Sequence, residues 1–564
     1  MTTHATIDDF VAAEVLTTGD ALVTARLGRI TGETADLPLL ALAFAVRAVR
    51  HGSTCFDPRH DPEVPGLTWP DPAAWLRAVE DSDLGRVLVV EHGLVYLDRY
   101  RRLEVALCDD LTARATLSAP PLDEARLTED LDRLFPGAEH EDQRAAAERA
   151  ARVGTIVLTG GPGTGKTTTV AGVLAILQAQ SLAMHGRSLR VALTAPTGKA
   201  AARMREAVAA TASRLALTDD ERTWLTGLPS STMHRLLGWR PDNHTRFRHD
   251  RLRRLPHDVV VVDETSMASL ENVARLLEAL RPDTRLILVG DADQLASVEA
   301  GAVLHDVVAG WSDEHVVRLT RSHRFGAGIG RLAAAVRDGD ADTAVELLTA
   351  GDPAIRLVQP DQGASLVEST LMPIARDLVA AGRHDDADAA LRRLGEHRLL
   401  CAHRDGPFGA TTWNERVTSG LRHDVGYGDW YPGRPVLVTR NDAQLGVFNG
   451  DAGVVVERDG QLVVAVDGEP VREFATSRLP DVQTGYAMTI HRSQGSEFSH
   501  VTVLLPDADS RAMTRELLYT AITRAVDTVT VIGTPDDIRT AIGRRVARSS
   551  GIAERLAARQ SAAR

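Results

Sequence analysis

The spacing of apolar positions changes near residue 143. Before it, runs such as LPLLALAFAVRAV (37–49) repeat at helical period, and RVLVVEHGLVYLDRYRRLEVAL (86–107) reads as an extended piece. An acidic, Pro-containing stretch from Pro120 to Asp142 predicts a solvated linker that carries one short helix, LTEDLDRLF, stopped by Pro136-Gly137. From Gln143 onward, short β-rich runs alternate with helical patterns: TIVLT (155–159), LRVALT (189–194), VVVVD (259–263) and RLILVG (285–290), then HRLLCAH (397–403), VTVLL (501–505) and TVTVIG (528–533). Strands alternating with helices predict parallel sheets with both faces covered.

The expected fold class is therefore α/β. A helical domain (1–115) and a linker (116–142) precede one α/β lobe at 143–335 and a second at 336–564. Within the second lobe, about 430–480, the runs RPVLVT, AGVVVE, QLVVAV and VREFAT are separated by Asn449-Gly450, Asp459-Gly460 and Asp467-Gly468. Such dipeptides mark hairpins, so a small inserted β-barrel is expected there. The tail GIAERLAARQSAAR reads as a basic helix or as disordered chain.

Composition narrows the class. Of 564 residues, 44% are hydrophobic and 25% charged, which excludes a fibre, a collagen-like repeat and a wholly disordered chain. The apolar stretch Leu37–Val49 is too short to span a bilayer and is broken by Arg47, and the N-terminus carries acids where a signal peptide carries bases; a cytoplasmic protein is expected. Cys55, Cys108 and Cys401 lie far apart, with no CxxC pair to suggest a disulfide framework or a zinc site. The net charge of −13 means that any nucleic-acid surface must be a local basic channel. Only two of the 64 basic residues are lysines, Lys166 and Lys199, and each sits in a candidate phosphate-binding segment.

The first segment is GGPGTGKT, spanning Gly160, Gly161, Pro162, Gly163, Thr164, Gly165, Lys166 and Thr167, with Thr168 following. It fits G-x-x-x-x-G-K-[ST] between a strand and a helix, where backbone N–H groups wrap phosphates at a helix N-terminus. Lys166 is expected on the β- and γ-phosphates and Thr167 on Mg2+. Asp263, ending a valine strand, is the expected second metal ligand, held through water, and Glu264 the base for the attacking water. Gln294 in GDADQLASVEAG is placed to contact the γ-phosphate, and Gln143 to read an adenine edge. Thr197, Gly198 and Lys199 of APTGKAA follow a strand end and are candidates to grip a phosphate.

In order along 143–535, GGPGTGKTTT, APTGKAA, TMHRLLG, VVVVDETSM, GDADQLASVEAG, LTRSHRF, RPVLVTRNDAQLGVFNGD, AMTIHRSQGSEF and LYTAITRA resemble the motifs of the superfamily 1B DNA helicases, and among these the motor subunits of RecBCD-type helicase–nuclease complexes. The resemblance implies two RecA-like P-loop NTPase lobes with ATP and Mg2+ in the cleft between them, an SH3-like inserted barrel, and 5′-to-3′ movement on single-stranded DNA. It implies RecB-like and RecC-like partners, with residues 1–115 docked onto them or merely buttressing the motor. By the same resemblance Arg324 and Arg524 reach the γ-phosphate from the second lobe, and Gly495 and Glu497 lie near the ribose and the lobe interface. Thr232 and His234, with Thr489, His491 and Ser493, fall on the DNA face. Asn441, Asp442 and Asn449 of the insert are turn-makers or DNA contacts. The segment GWRPDNHTRFRHDRLRR (238–254), with six arginines against two aspartates, is a candidate duplex-parting hairpin or a solvated basic loop.

No segment resembles a nuclease: both lysines are otherwise assigned and neither lies in an ExK sequence, so any nuclease is expected on a partner. A stand-alone helicase of the same superfamily, and a P-loop ATPase switch or loader that does not unwind, are the alternative readings.

Overall fold

Each lobe is built on a parallel sheet whose central strands are runs of β-branched and aliphatic residues buried on both faces. The computed structural model describes residues 4–563 apart from 61–63, 118–120, 241–242, 322–325, 385, 443, 469, 507–509, 511 and 547. In the first lobe six parallel strands lie in the order Val316–Leu319, Thr155–Gly160, Arg285–Gly290, Val259–Val262, Val191–Ala195, Ser230–Thr232. In the second, five parallel strands lie in the order Ile355–Val358, Ala525–Ile532, Phe498–Leu504, His397–Cys401, Ala487–Thr489. Strand Val259–Val262 is wholly buried, and with it comes the end of the chain segment that carries Asp263 and Glu264.

The helix after the phosphate loop, Lys166–His185, is long and apolar enough to cross a membrane, but 72% of its apolar window is buried inside the molecule. Its residues 169–181 are buried without a break, so it is the core helix of the first lobe.

Four strands of the two parallel sheets were not anticipated from the pattern: Ser230–Thr232, Val316–Leu319, Ile355–Val358 and Ala487–Thr489. Each is three or four residues long, and each lies at a sheet edge. Such short pieces, half of them mixed in polarity, carry too little periodicity to register as strands.

The stretch 86–107 is extended only in part. Strands Leu88–Glu91 and Leu94–Leu97 form an antiparallel hairpin, and the turn His92-Gly93 takes φ of 54° and 75°. This is the left-handed pair that a two-residue hairpin requires. From Asp98 the chain is helical to Ala115, because Leu103, Leu107 and Leu111 recur at four-residue spacing and bury into the first-lobe core. The N-terminal helices enclose a separate cluster in which Phe10, Phe44, Phe56, Trp69 and Trp75 meet largely edge to face.

The linker expected at 116–142 is different in kind. Helix Glu124–Leu134 buries Leu127, Leu131 and Leu134 in the first-lobe core beside Val170 and Leu174, so the acidic stretch is amphipathic rather than solvated. Within the second lobe, five antiparallel strands form one sheet in the order Arg472–Ala475, Gln461–Val466, Ala452–Arg458, Pro435–Val438, Val482–Thr484. Asp459-Gly460 makes the hairpin turn between Ala452–Arg458 and Gln461–Val466, with φ of 50° and 72°.

The tail is an ordered helix, Ile552–Ala563, and it returns from the second lobe to the first. Ile552 and Leu556 join the first-lobe core beside Leu107 and Trp311. Glu104, fully buried, accepts from Thr54 Oγ1, from the Gly551 N–H at 3.3 Å and from Arg555 Nε at 3.4 Å, while Arg555 also donates to Glu91. Arg559 pairs with Asp109 at 2.6 Å. The basic tail is thus a clasp between the chain end and the N-terminal region. Arg555→Ala strips a buried carboxylate of its cationic hydrogen-bond partner among the described residues, and loss of one member of a buried pair costs about 3 kcal/mol. The variant is expected to melt several degrees below the parent in calorimetry; coincident melting curves would show that the clasp contributes nothing.

Candidate functional site

The C-terminal ends of the first-lobe strands meet the second lobe at a cleft of about 480 Å³. The local chain explains its floor. Strand Thr155–Gly160 runs into a loop where Gly163 and Gly165 take φ of 76° and 84°, conformations that a side chain resists. At Gly160 a Cβ atom would lie 2.5 Å from the Leu319 carbonyl oxygen. The loop then opens helix Lys166–His185, whose first N–H groups have no intrahelical partner and face the cleft. Lys166 Nζ donates to the carbonyls of Gly160 at 2.7 Å and Gly161 at 2.9 Å, holding its charge within the loop.

The other walls carry the expected acids and amides. Pro162, Gly163, Gly165, Lys166, Thr167, Thr168, Asp263, Glu264 and Gln294 line the cleft from the first lobe; Gly495, Glu497 and Arg524 line it from the second. Gln143 is buried on the same wall, its Nε2 2.8 Å from where a Cβ on Gly165 would stand. Thr164 is buried and its hydroxyl donates to the Gly161 carbonyl at 2.9 Å, which places it in the structure of the loop rather than on its open face.

Enclosure and the charge of Glu264 push the Asp263 carboxyl up to about 7, with Lys166 opposing. Glu264 adopts φ 49° and ψ 41°, a left-handed conformation that costs a non-glycine residue about 1 kcal/mol or more. Its Oε1 lies 3.9 Å from where a Cβ on Gly495 would stand, so the strained backbone aims the carboxylate across the cleft. Gln294 is buried and donates from Nε2 to Asp291 Oδ2 at 2.9 Å. Arg524, 4% exposed, is held by the Thr520 carbonyl at 3.1 Å and the Ser496 carbonyl at 3.3 Å. Arg324 lies outside the described residues.

A loop of N–H groups and one ammonium at a helix N-terminus suits a polyphosphate. An enclosed carboxylate destabilised in its charged form, beside the Thr167 hydroxyl, suits a hard cation that keeps most of its ligands as phosphate oxygens and water. Among the described residues no group of three or more His, Cys, Asp or Glu forms a metal cage of its own, so a cation here would depend on a bound phosphate.

The residues expected on DNA are more dispersed. Lys199, half-buried between the lobes, donates to the Gly450 carbonyl at 2.8 Å and Ser496 Oγ at 2.7 Å. Burial and the adjacent Arg203 charge push it down to about 7. It is a bridge between the lobes instead of a side chain presented to solvent. Ser493 is fully buried and donates to the Ile490 carbonyl at 2.7 Å, so it braces its own turn and offers no group to DNA. Thr197 and Thr232 act as helix N-caps, accepting from Ala200 N and Arg235 N at 3.2 Å. His234 meets Phe247 edge-on at 5.7 Å, and His491 is exposed. Thr489 lines a second cleft of about 680 Å³ in the second lobe with Arg404, Asn414 and Arg492.

In the insert, Asn441 Oδ1 accepts from Asn449 N, and Asp442 Oδ1 accepts from Gln444 N and Leu445 N; these side chains bind their own loop. The basic segment contains a short hairpin, Trp239–Arg240 paired with Asn243–Phe247. Arg251 pairs with Asp110 at 2.9 Å and Arg254 donates to the Leu280 carbonyl, so part of its charge is tied down. Asp242 of its expected turn lies outside the described residues.

Sequence reading passed over Asp291 and Tyr519, although both stand inside segments it singled out, GDADQLASVEAG and LYTAITRA. It also passed over His140 and Arg214, which line the cleft from segments without a motif.

Comparison with known proteins agrees in extent. A family model described as an AAA domain matches residues 143–300, and one described as a UvrD-like helicase C-terminal domain matches 484–532. RecBCD enzyme subunit RecD of Mycolicibacterium smegmatis is 52% identical over 96% of this chain and 98% of its own length. The protein of the same name from Mycobacterium tuberculosis H37Rv is 50% identical over 97% and 96%. ATP-dependent RecD2 DNA helicase of Deinococcus radiodurans is 34% identical over 83% of this chain but only 59% of its own length. At half the residues identical across nearly the whole of both chains, this chain belongs to the RecD family of RecBCD enzyme subunits.

Proposed function

We propose that the chain is the ATP-driven DNA helicase subunit of a RecBCD-type enzyme, working beside RecB-like and RecC-like subunits and moving 5′ to 3′ on single-stranded DNA. One observation carries the reading: the phosphate loop, Asp263, Glu264 and Gln294 of one lobe and Arg524 of the other line a single cleft. A cleft shared by two lobes turns hydrolysis into relative motion, because the charge it stabilises is contributed from both sides.

In this reading the loop amides and Lys166 bind the β- and γ-phosphates of ATP. Thr167 and Asp263 hold Mg2+, which when bound neutralises the phosphate oxygens. Glu264 takes the proton of the attacking water, Gln294 contacts the γ-phosphate, and Arg524, with Arg324, stabilises the transferring phosphoryl group. Gln143 reads the adenine edge, and Gly495 and Glu497 flank the ribose. Single-stranded DNA runs over the strand ends past Thr232, His234, Thr489 and His491, with Arg404 and Arg492 as backbone contacts in the second cleft. Exposed Trp239 and the neighbouring arginines make the 238–254 hairpin the element that meets the duplex. The insert at 430–480 is assigned as the SH3-like module and 1–115 as the docking domain. Helix Thr18–Thr31 leaves Leu22 and Ile30 about two-thirds exposed, which suits burial against a partner. Near-complete overlap with RecD chains, against 59% of RecD2, favours the complex over a stand-alone helicase.

Lys166→Ala is expected to lower DNA-stimulated phosphate release at least a hundredfold by removing the charge on the phosphates; turnover near the parent's would refute the assignment. Glu264→Gln should bind a fluorescent ATP analogue within about threefold of the parent while turnover falls at least a hundredfold, and a fully active variant would remove Glu264 as base. Strand displacement by the chain, alone and co-expressed with its partners, should occur on a 5′-tailed duplex and not on a 3′-tailed one; the reverse outcome would overturn the polarity.

A further inference from the structure

By chain order the Gln294 loop belongs to the first lobe, but the second lobe holds it. The Leu295 side chain, 5% exposed, is part of the second-lobe apolar core. Its N–H donates to Thr520 Oγ1 at 3.1 Å and its carbonyl accepts from Gln494 Nε2 at 3.0 Å. One turn back, Asp291 Oδ2 accepts from Gln294 Nε2 at 2.9 Å and from the Tyr519 hydroxyl at 3.1 Å, while Oδ1 accepts from Asp293 N at 3.1 Å. Asp291 is 2% exposed and Tyr519 3%. The same hydroxyl lies 3.0 Å from where a Cβ on Gly161 would stand, over the start of the phosphate loop. Tyr519 and Thr520 lie on helix Arg515–Ile522, and the Thr520 carbonyl holds the Arg524 guanidinium.

We infer that Tyr519 is a positioning residue for ATP turnover: through Asp291 it fixes the carboxamide of Gln294, so the second lobe orients the group that faces the γ-phosphate. The inference rests on the reading of this cleft as the ATP site. Its physical basis is the shared acceptor. On a side chain only 2% exposed, an oxygen that accepts from both a phenol and an amide holds each at a fixed angle to the other. Removing the phenol leaves Gln294 Nε2 bound to a carboxylate that has lost the Tyr519 donor from Oδ2 and keeps the Asp293 N–H on Oδ1. One short helix then carries both the Tyr519 link and the anchor of Arg524, so lobe movement displaces the glutamine and the arginine together.

The test is a double-mutant cycle on the full-length chain with oligo-dT and ATP: parent, Tyr519→Phe, Gln294→Ala and the double variant, each checked by thermal melting. Tyr519→Phe should lower kcat about tenfold, the scale of one buried hydrogen bond to a charged group, with KM for ATP within about twofold. The double variant should turn over as Gln294→Ala does, because the tyrosine acts only through the glutamine. Multiplying losses, a KM effect without a kcat effect, or parental kcat in Tyr519→Phe would overturn the inference. Should Tyr519→Phe melt early, Asp291→Asn serves in its place and must show the same non-additivity with Gln294→Ala. If the parent shows no turnover that Lys166→Ala abolishes, the ATP-site reading falls and the relay with it. A Lys166-dependent parent with an additive cycle sinks the relay alone.

Discussion

The cleft depends on how the two lobes are tied at its rim. Neither parallel sheet crosses from one lobe to the other, so at the rim the ties come from the segments that follow the strands, while the tail helix Ile552–Ala563 packs into the first-lobe core. Lys199 reaches Gly450 and Ser496, Arg203 donates to the Gly495 carbonyl, and Leu295 is gripped through its backbone and its side chain. Every tie from the first lobe leaves a segment that follows one of its strands, and most are received by 494–496 or by the helix carrying Tyr519. Hydrogen bonds of this type contribute about 1 kcal/mol each in net terms, but a buried donor left without its acceptor costs more.

Enclosed charge is used for two different ends. Asp263 and Asp291, which line the cleft, are carboxyls that enclosure pushes above the usual range, and Lys199, bridging the lobes beside it, is an ammonium pushed below it. Far from the cleft, Glu104 is raised by burial as well, yet Thr54, Gly551 and Arg555 satisfy it from within the fold. The first set lies in or beside the cleft between the lobes; the second is a network that fastens the chain end to the N-terminal region.

Some placements followed from local chemistry alone. The glycines of the phosphate loop, the valine strand ending in Asp263 and the Asp459-Gly460 turn have conformations that few other residues adopt, so their spacing announced them. Edge strands such as Ser230–Thr232 were not legible because three residues of mixed polarity carry no period. The acidic stretch before Gln143 was read as solvated because its net charge masks an i, i+4, i+7 apolar stripe at Leu127, Leu131 and Leu134. The tail was ambiguous because its arginines look like a solvated basic face until Glu91, Glu104 and Asp109, some 450 residues earlier, are brought beside them.

What the sequence by itself determined was the framework: two α/β lobes, a loop with phosphate-binding spacing, and the candidate acids, amide and arginine that the fold gathers into one cleft. These depend on backbone conformations and strand periodicity, which are local properties. The tertiary structure alone decided which candidates share a space. Lys199 became a bridge and the tail a clasp, because those roles are set by partners hundreds of residues distant, and Ser493 became a brace because the fold buries it against its own turn. Tyr519 and Asp291 acquired theirs in the same way, through a hydrogen bond between residues 228 positions apart that no spacing rule contains.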